Sequence, residues 1–285
     1  MLNDSKLDRM VSDNFRNVKF GLLIPPFSLL LLFGFYFILF NEGDNYIDRY
    51  INIQKDLFFY FNGQLSEFPN LQFNLTQLGD VLVFFPLITI FIIYAPKLWE
   101  ALLTSAILSL VMSATLKKLF AVPRPSAIFD NESFVIIGRT LSGNTSLPSG
   151  HSIAAFIVIT ILLFAFMPKK NKHKIIWSLF FLTLGLVISF SRVGVGAHYP
   201  FDVIVGSTIG YIVAIIGIQI NNKVSCWNWI KNIKYYPYFI LFLIIWIGVI
   251  IAKILVNNLP IFYFSLFSLV LSLCLITSAY VQKRY

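Results

Sequence analysis

Lys117 with Arg124-Pro125, then Pro148-Ser149-Gly150-His151, then Ser191-Arg192 with His198 and Asp202 are the residues here whose types and spacing can do chemistry together. Three cations, two imidazoles and a carboxylate suit one task, holding a phosphate and breaking its ester. The transition state of that reaction spreads negative charge over the equatorial oxygens, so positioning and electrostatic stabilisation carry most of the catalysis. Arginine offers a planar fork of donors matched to phosphate oxygens, and lysine a compact point charge. Gly150 lets backbone approach a ligand closely, and a helix starting there aims free N–H groups and a positive dipole end at an anion. Ser149 reads equally well as the N-cap of that helix, and the two roles are compatible. His198 and Asp202 are four residues apart with Pro200 between them. Proline is tolerated in a first helical turn, so the pair spans a helix entry and can face one direction. A carboxylate bonded to one imidazole nitrogen fixes the tautomer and leaves the other nitrogen free to attack.

Each cluster lies at the end of a long apolar run. Of 285 residues 58% are hydrophobic and 12% charged, whereas a soluble domain carries about twice that charge. A membrane span needs about 20 apolar residues. Eight runs are candidates, the second and fourth of them short: Phe20–Phe40, Val81–Ala95, Ala101–Phe120, Ser152–Met167, Ile175–Phe190, Val203–Ile220, Tyr238–Leu255 and Ile261–Val281. The expected fold is all-α, a polytopic transmembrane helical bundle of about eight spans. The chain reads as one membrane domain over 1–285, because the longest gap, Asn41–Asp80, leaves no room for a soluble one. Span parity puts all three clusters on the same side of the membrane. Ionisable residues in the runs (Glu100, Asp202, Lys253) lie near their ends, which argues against a transporter or proton pump.

With a cytoplasmic N-terminus, inner segments hold 14 of the 22 Lys and Arg residues. The short loop Lys169-Lys170-Asn171-Lys172-His173-Lys174 decides the orientation. Both termini are therefore expected in the cytoplasm and the three clusters outside. The net charge of +9 is mostly this topology plus the phosphate site, and no nucleic-acid partner is expected. Residues 1–19 mix Asp4, Asp8 and Asp13 with Lys6, Arg9, Arg16 and Lys19, which reads as a plain lead-in to a first span and not as a secretory signal.

Other polar and aromatic residues have blander readings. Lys118 is a snorkelling anchor, and His173 a surface residue of the basic loop. Asp130, Glu132 and Arg139, in the long loop Ala121–Leu147, read as solvated charges, although such a loop beside a site often guides substrate. The outer segment Asn41–Asp80, with Phe58-Phe59-Tyr60-Phe61, reads first as an aromatic belt and second as an interfacial helix. Trp227 and Trp229 are inner anchors. Pro25-Pro26 kinks the first span or delays its start. Cys226 and Cys274 are structural, with no metal-ligand spacing and no plausible disulfide. Sequons at Asn74, Asn131 and Asn144 fall outside; the Ile, Asn, Lys and Phe bias points to a bacterial source.

The spacings K-x6-R-P, P-S-G-H and S-R-x5-H-x3-D supply eleven specified identities in order. They resemble the tripartite signature of the type-2 phosphatidic acid phosphatase family, in its membrane-embedded bacterial branch. The resemblance covers 117–202, the third to sixth runs, and leaves two additional C-terminal spans, about 238–281. It implies His198 as nucleophile forming a phosphohistidine, Asp202 as its orienter and His151 as general acid and then base. Lys117, Arg124, Ser149, Gly150 and Arg192 would bind the phosphate. It implies no metal and no cofactor. The bilayer and a lipid phosphate are the expected partners. The implied activity is hydrolysis of undecaprenyl diphosphate, phosphatidylglycerophosphate, phosphatidic acid or a lipid A phosphate at the outer, periplasmic face of a bacterial cytoplasmic membrane. Transfer of the phosphoryl group to an acceptor lipid, and catalytically silent lipid-phosphate binding, are the alternatives.

Overall fold

A computed structural model describes residues 5–39, 45–224 and 226–284, the side chains of Lys283 and Arg284 excepted. Asp4, Phe40 at the end of the first run and the first residues of the outer aromatic segment fall outside that set. Among the described residues the regular structure is entirely helical. The chain runs α1 (Lys6–Arg16), α2 (Ile24–Leu39), α3 (Tyr46–Asn52), α4 (Lys55–Ser66), α5 (Pro69–Gln77), α6 (Val81–Leu87), α7 (Phe91–Tyr94) and α8 (Pro96–Phe120). It continues through α9 (Pro125–Ile128), α10 (Gly150–Ala165), α11 (Asn171–Gly194), α12 (Pro200–Lys223), α13 (Tyr236–Val256) and α14 (Pro260–Arg284).

Six helical stretches among the described residues are long and apolar enough to cross a membrane: Phe20–Leu39, Pro96–Ile128, Asn171–Gly194, Pro200–Lys223, Ile233–Val256 and Pro260–Gln282. A count of eight would need two more. The fourth run forms α10, which has 16 residues. The second is not one helix. Pro86 sits inside α6, and a proline lacks the donor that an interior turn needs, so the run breaks into α6 and α7. The buried Thr89 hydroxyl caps the break by donating to Pro86 O at 2.8 Å. The first run starts late: a 3-10 turn covers Phe20–Leu23, and α2 then places Pro25 and Pro26 in its opening turn, where missing N–H groups cost nothing.

Helix α12 is the hub, and its most extensive neighbour is α10. Glycines make that approach possible. A Cβ on Gly206 would lie 2.6 Å from Ser149 O, and one on Gly210 would lie 2.5 Å from Ile153 O. Small residues at a helix crossing let backbones meet where lipid supplies no hydrophobic drive. The α13–α14 hairpin packs against α6 and is tied there by polar bonds, Ser265 Oγ to Val83 O at 2.9 Å and Trp246 Nε1 to Leu82 O at 2.9 Å.

At the end of the bundle away from the signature, four charges converge. Glu100 is fully buried and takes Lys97 Nζ at 2.6 Å and Lys231 Nζ at 3.3 Å. Lys231 also lies 3.6 Å from Asp8, whose other oxygen accepts the Lys97 backbone N–H at 2.9 Å. A buried carboxylate needs partners of this kind. They bring α1, α8 and the segment after α12 to one point.

Candidate active site

The C-terminal ends of α8 and α11 and the N-terminal ends of α10 and α12 meet at the other end of the bundle, and every signature residue lies there. Helix α8 ends in a left-handed residue, Ala121 (φ 47°), which turns the chain out of the helix three residues before Arg124. Arg124 is then clamped: its backbone N–H donates to Gly143 O at 3.0 Å, Nη1 to Ala197 O at 3.0 Å and Nη2 to Thr145 O at 3.4 Å.

The same Nη1 lies 3.2 Å from His198 Nε2. A guanidinium only donates, so Nε2 is the nitrogen that carries the lone pair. The ring proton is on Nδ1, which faces Asp202 Oδ2 at 3.3 Å. His198 is buried between α11 and α12, in a turn made by Gly196 (φ +74°), where a Cβ would lie 2.6 Å from Val135 O. Burial first, then the charges of Arg124, Arg192 and Lys117, push the His198 pKa well below its ordinary value. That shift favours the neutral imidazole, with its lone pair on Nε2.

Asp202 is fully buried and accepts four hydrogen bonds. Besides His198, Oδ2 accepts from Ser146 Oγ at 2.5 Å and from the Tyr199 N–H at 2.9 Å, and Oδ1 accepts from Tyr50 Oη at 2.8 Å. Such a carboxylate cannot rotate away from the imidazole.

Ser149 is the N-cap of α10. Its hydroxyl oxygen accepts from the Ser152 N–H at 3.4 Å and the Ser152 hydroxyl at 2.9 Å, and its own N–H donates to Asp202 O at 3.0 Å. Gly150 begins the helix, and a Cβ there would lie 3.5 Å from Lys117 Nζ. The lysine thus sits beside the open N–H groups of α10, where an anion is favoured. Arg192 is buried, donates from Nη1 to Thr76 Oγ1 at 2.5 Å and leaves Nε without a partner. His151 lies one residue inside α10, half-buried against Gly79; a Cβ on that glycine would lie 2.5 Å from His151 Cβ.

Eight residues singled out by spacing therefore come together. The residues read as bland stay out: Lys118, Asp130, Glu132, Arg139 and His173 are exposed. Three site neighbours escaped the sequence reading. Tyr50 and Thr76 lie in the outer segment read as an aromatic belt, and Ser146 two residues before Pro148. That segment is instead a folded cap of α3, α4 and α5. Phe58 is fully buried among Phe129, Phe134 and Tyr199. Asn62, also buried, donates to Val135 O and Val193 O at 2.9 and 3.0 Å. Tyr60 alone of the four aromatics 58–61 keeps a strongly exposed ring. The only available signal was a polar residue set, Tyr50, Gln54, Asn62 and Thr76, recurring among the aromatics.

The PAP2 superfamily model matches residues 97–226. An undecaprenyl-diphosphatase of Sulfolobus acidocaldarius is 27% identical over 198 residues, 68% of this chain and 88% of the relative. A lipid A 1-phosphatase of Rhizobium etli is 31% identical over 123 residues, 41% of this chain and 48% of the relative. Among solved structures, Aquifex aeolicus LpxE is 28% identical and covers 59% of this chain and 95% of its own, with a TM-score of 0.48.

Proposed function

Residues 97–226 form a PAP2-superfamily segment, and from that premise we propose that the protein hydrolyses a phosphate or diphosphate headgroup of a membrane lipid through a phosphohistidine. The observation that carries the reading is the polarity of His198: Nδ1 is held by Asp202 while the Nε2 lone pair faces the Arg124 guanidinium. Phosphate oxygens drawn in by Lys117, Arg124, Arg192 and the first N–H groups of α10 bring phosphorus to Nε2. The nitrogen attacks, the bond from phosphorus to the lipid oxygen breaks, and His151 gives that oxygen its proton. His151 then takes a proton from water, whose oxygen attacks the phosphohistidine and releases inorganic phosphate. Two steps through a covalent intermediate replace one harder step.

The mechanism needs no metal. Asp202 already accepts four hydrogen bonds, three of them at Oδ2, and Arg124 stands 3.2 Å from the other imidazole nitrogen, so the residues that would ligate a cation are engaged by protons and opposed by charge. A diphosphate lipid is the first substrate to test, since the relative matched over 88% of its length is named an undecaprenyl-diphosphatase. The loop charges favour a site on the outer face of the cytoplasmic membrane with both termini inside.

The experiment is phosphate release by the purified, detergent-solubilised protein and its His198→Ala variant, with chelator present. The panel holds undecaprenyl diphosphate, phosphatidylglycerophosphate, phosphatidic acid and lipid A. Wild type should release phosphate and the variant should fall by roughly a thousandfold or more. Substantial turnover by the variant refutes the nucleophile; labelled phosphate moving to an acceptor lipid instead of water makes the protein a transferase.

A further inference from the structure

We infer that the end of the bundle opposite the signature holds a second lipid site, which takes the headgroup and a chain of an anionic glycerophospholipid. The inference stands apart from the hydrolytic reading, because none of its residues belongs to the phosphate site. Helix α10 has 16 residues, whereas α11 and α12 have 24 each. At a rise of about 1.5 Å per residue, α10 is shorter than its neighbours by about 12 Å. At its far end lies a cavity of about 920 Å³, within the size range of ligand sites, about 300–1,000 Å³. Ile159 and Leu163 of α10, Leu182 of α11 and Tyr211 of α12 form its walls. Leu182 is 48% exposed, as are its neighbours Leu179 and Phe180 more strongly, so the cavity opens on an apolar outer face of α11. The bilayer core offers no water to fill such a space, and hydrocarbon chain takes it instead.

The mouth of the cavity is polar and its frame is bonded. Asn14 of α1 donates from Nδ2 to Ala165 O at 2.9 Å and to Met167 O at 3.3 Å, and Asn222 Nδ2 of α12 donates to Phe15 O at 2.9 Å. These bonds fix α1 across the ends of α10 and α12. Lys169 and Lys174 line the mouth, and both are exposed. Among the described residues neither forms an ion pair. The one carboxylate among the described lining residues, Asp13, is paired with Arg16 at 3.5 Å. Two unpaired cations over an apolar cavity complement an amphiphile with a negative head. Basic pockets between spans at the cytoplasmic side, where the loop charges favour this end, take anionic headgroups in this way. A lone lysine at a span end is an ordinary snorkelling anchor. Lys170 and Lys172 supply that comparison, since they belong to the same basic loop and do not line the cavity. Helices α10 and α11 carry Ser149 and Arg192 toward their other ends, so an occupant here braces helices that frame the phosphate site.

The test uses the full-length protein in a neutral detergent, with lipid binding measured by native mass spectrometry. Phosphatidylglycerol is the probe, and phosphatidylcholine with the same chains is its uncharged-headgroup comparison. Wild type should retain phosphatidylglycerol in preference to phosphatidylcholine. The double variant Lys169→Gln/Lys174→Gln should weaken phosphatidylglycerol binding by about fivefold per lysine, about 25-fold for the pair. Lys170→Gln/Lys172→Gln, which removes the same charge from the same loop, should keep the wild-type affinity. Leu182→Trp puts a bulky ring into the cavity from its exposed wall and should lose the bound lipid with the charge unchanged. Thermal unfolding checks that each variant is folded; if Leu182→Trp is not, the comparison of the two lysine pairs decides. Equal retention of the two lipids, or equal weakening by the two lysine pairs, overturns the inference. So does wild-type retention by a folded Leu182→Trp. Orthovanadate should leave the bound phosphatidylglycerol in place; displacement would put that lipid in the phosphate site and likewise overturn the inference.

Discussion

A phenol behind a carboxylate behind an imidazole is a stiff arrangement, and its stiffness is measurable. Tyr50 lies far outside the signature, yet its hydroxyl donates to Asp202 Oδ1 at 2.8 Å. Burial and the Asp202 charge push the Tyr50 pKa well above its ordinary value, so the phenol stays a donor at every working pH. Tyr50→Phe should lower kcat about tenfold, the size of one charge-assisted hydrogen bond, and leave KM nearly unchanged; steady-state kinetics on the preferred lipid checks this. The His198 proton belongs at the same scale. Its pKa in the folded protein lies below the ordinary 6.5, so the imidazole stays neutral as pH falls through that value. The acid limb of kcat/KM due to His198 should therefore sit below pH 6.5, and a limb at or above that value would contradict the assignment. Stability has the same sign. Below 6.5 the unfolded chain takes up a proton that the folded site refuses, so folding weakens as pH falls.

The helices carry these residues through close backbone approach, and there the prediction concerns a glycine. Gly206→Ala places a methyl group 2.6 Å from Ser149 O in the ideal geometry. Backbone cannot swing aside as a side-chain tip does, so α10 and α12 must part. The expected cost is about 1–3 kcal/mol of stability, with weaker orthovanadate binding because Ser149 and Gly150 move with the helix start. Thermal unfolding and calorimetry on one preparation read both. The sequence displayed the ends of these elements well. Lys117, Ser149-Gly150, Arg192 and Pro200 each mark a boundary by residue type, and the structure puts them at helix ends. It hid the cap α3–α5. Aromatic residues look alike whether they face headgroups or one another, and nothing local marks Phe58 as buried and Tyr60 as exposed. It also hid the break at Pro86, because hydropathy averages over a proline that helix geometry cannot absorb. Tyr50 and Thr76 were invisible for a related reason: their importance lies in partners 152 and 116 residues away.

Across the whole molecule, the two ends of the bundle carry different chemistry, and the orientation proposed for them can be read with a thiol. Cys226 and Cys274 are both exposed, the first beyond the end of α12 and the second on the apolar surface of α14. In sealed, right-side-out membranes a charged, impermeant maleimide should leave both untouched, and opening the vesicles should label Cys226 alone. Labelling of Cys226 before opening would invert the topology and place the phosphate site on the inner face.

The Glu100 cluster has a consequence for how the chain is made. Every proposed site residue has been synthesised once Asp202 is in place, but the carboxylate at position 100 still lacks Lys231, its second cation. Until that residue leaves the ribosome, a half-neutralised acid waits at the membrane boundary. A nascent chain stopped after α12 would hold the entire reaction centre and still lack closure at the opposite end. Closure of that end of the bundle therefore comes after the last of the proposed site residues, with the arrival of Lys231.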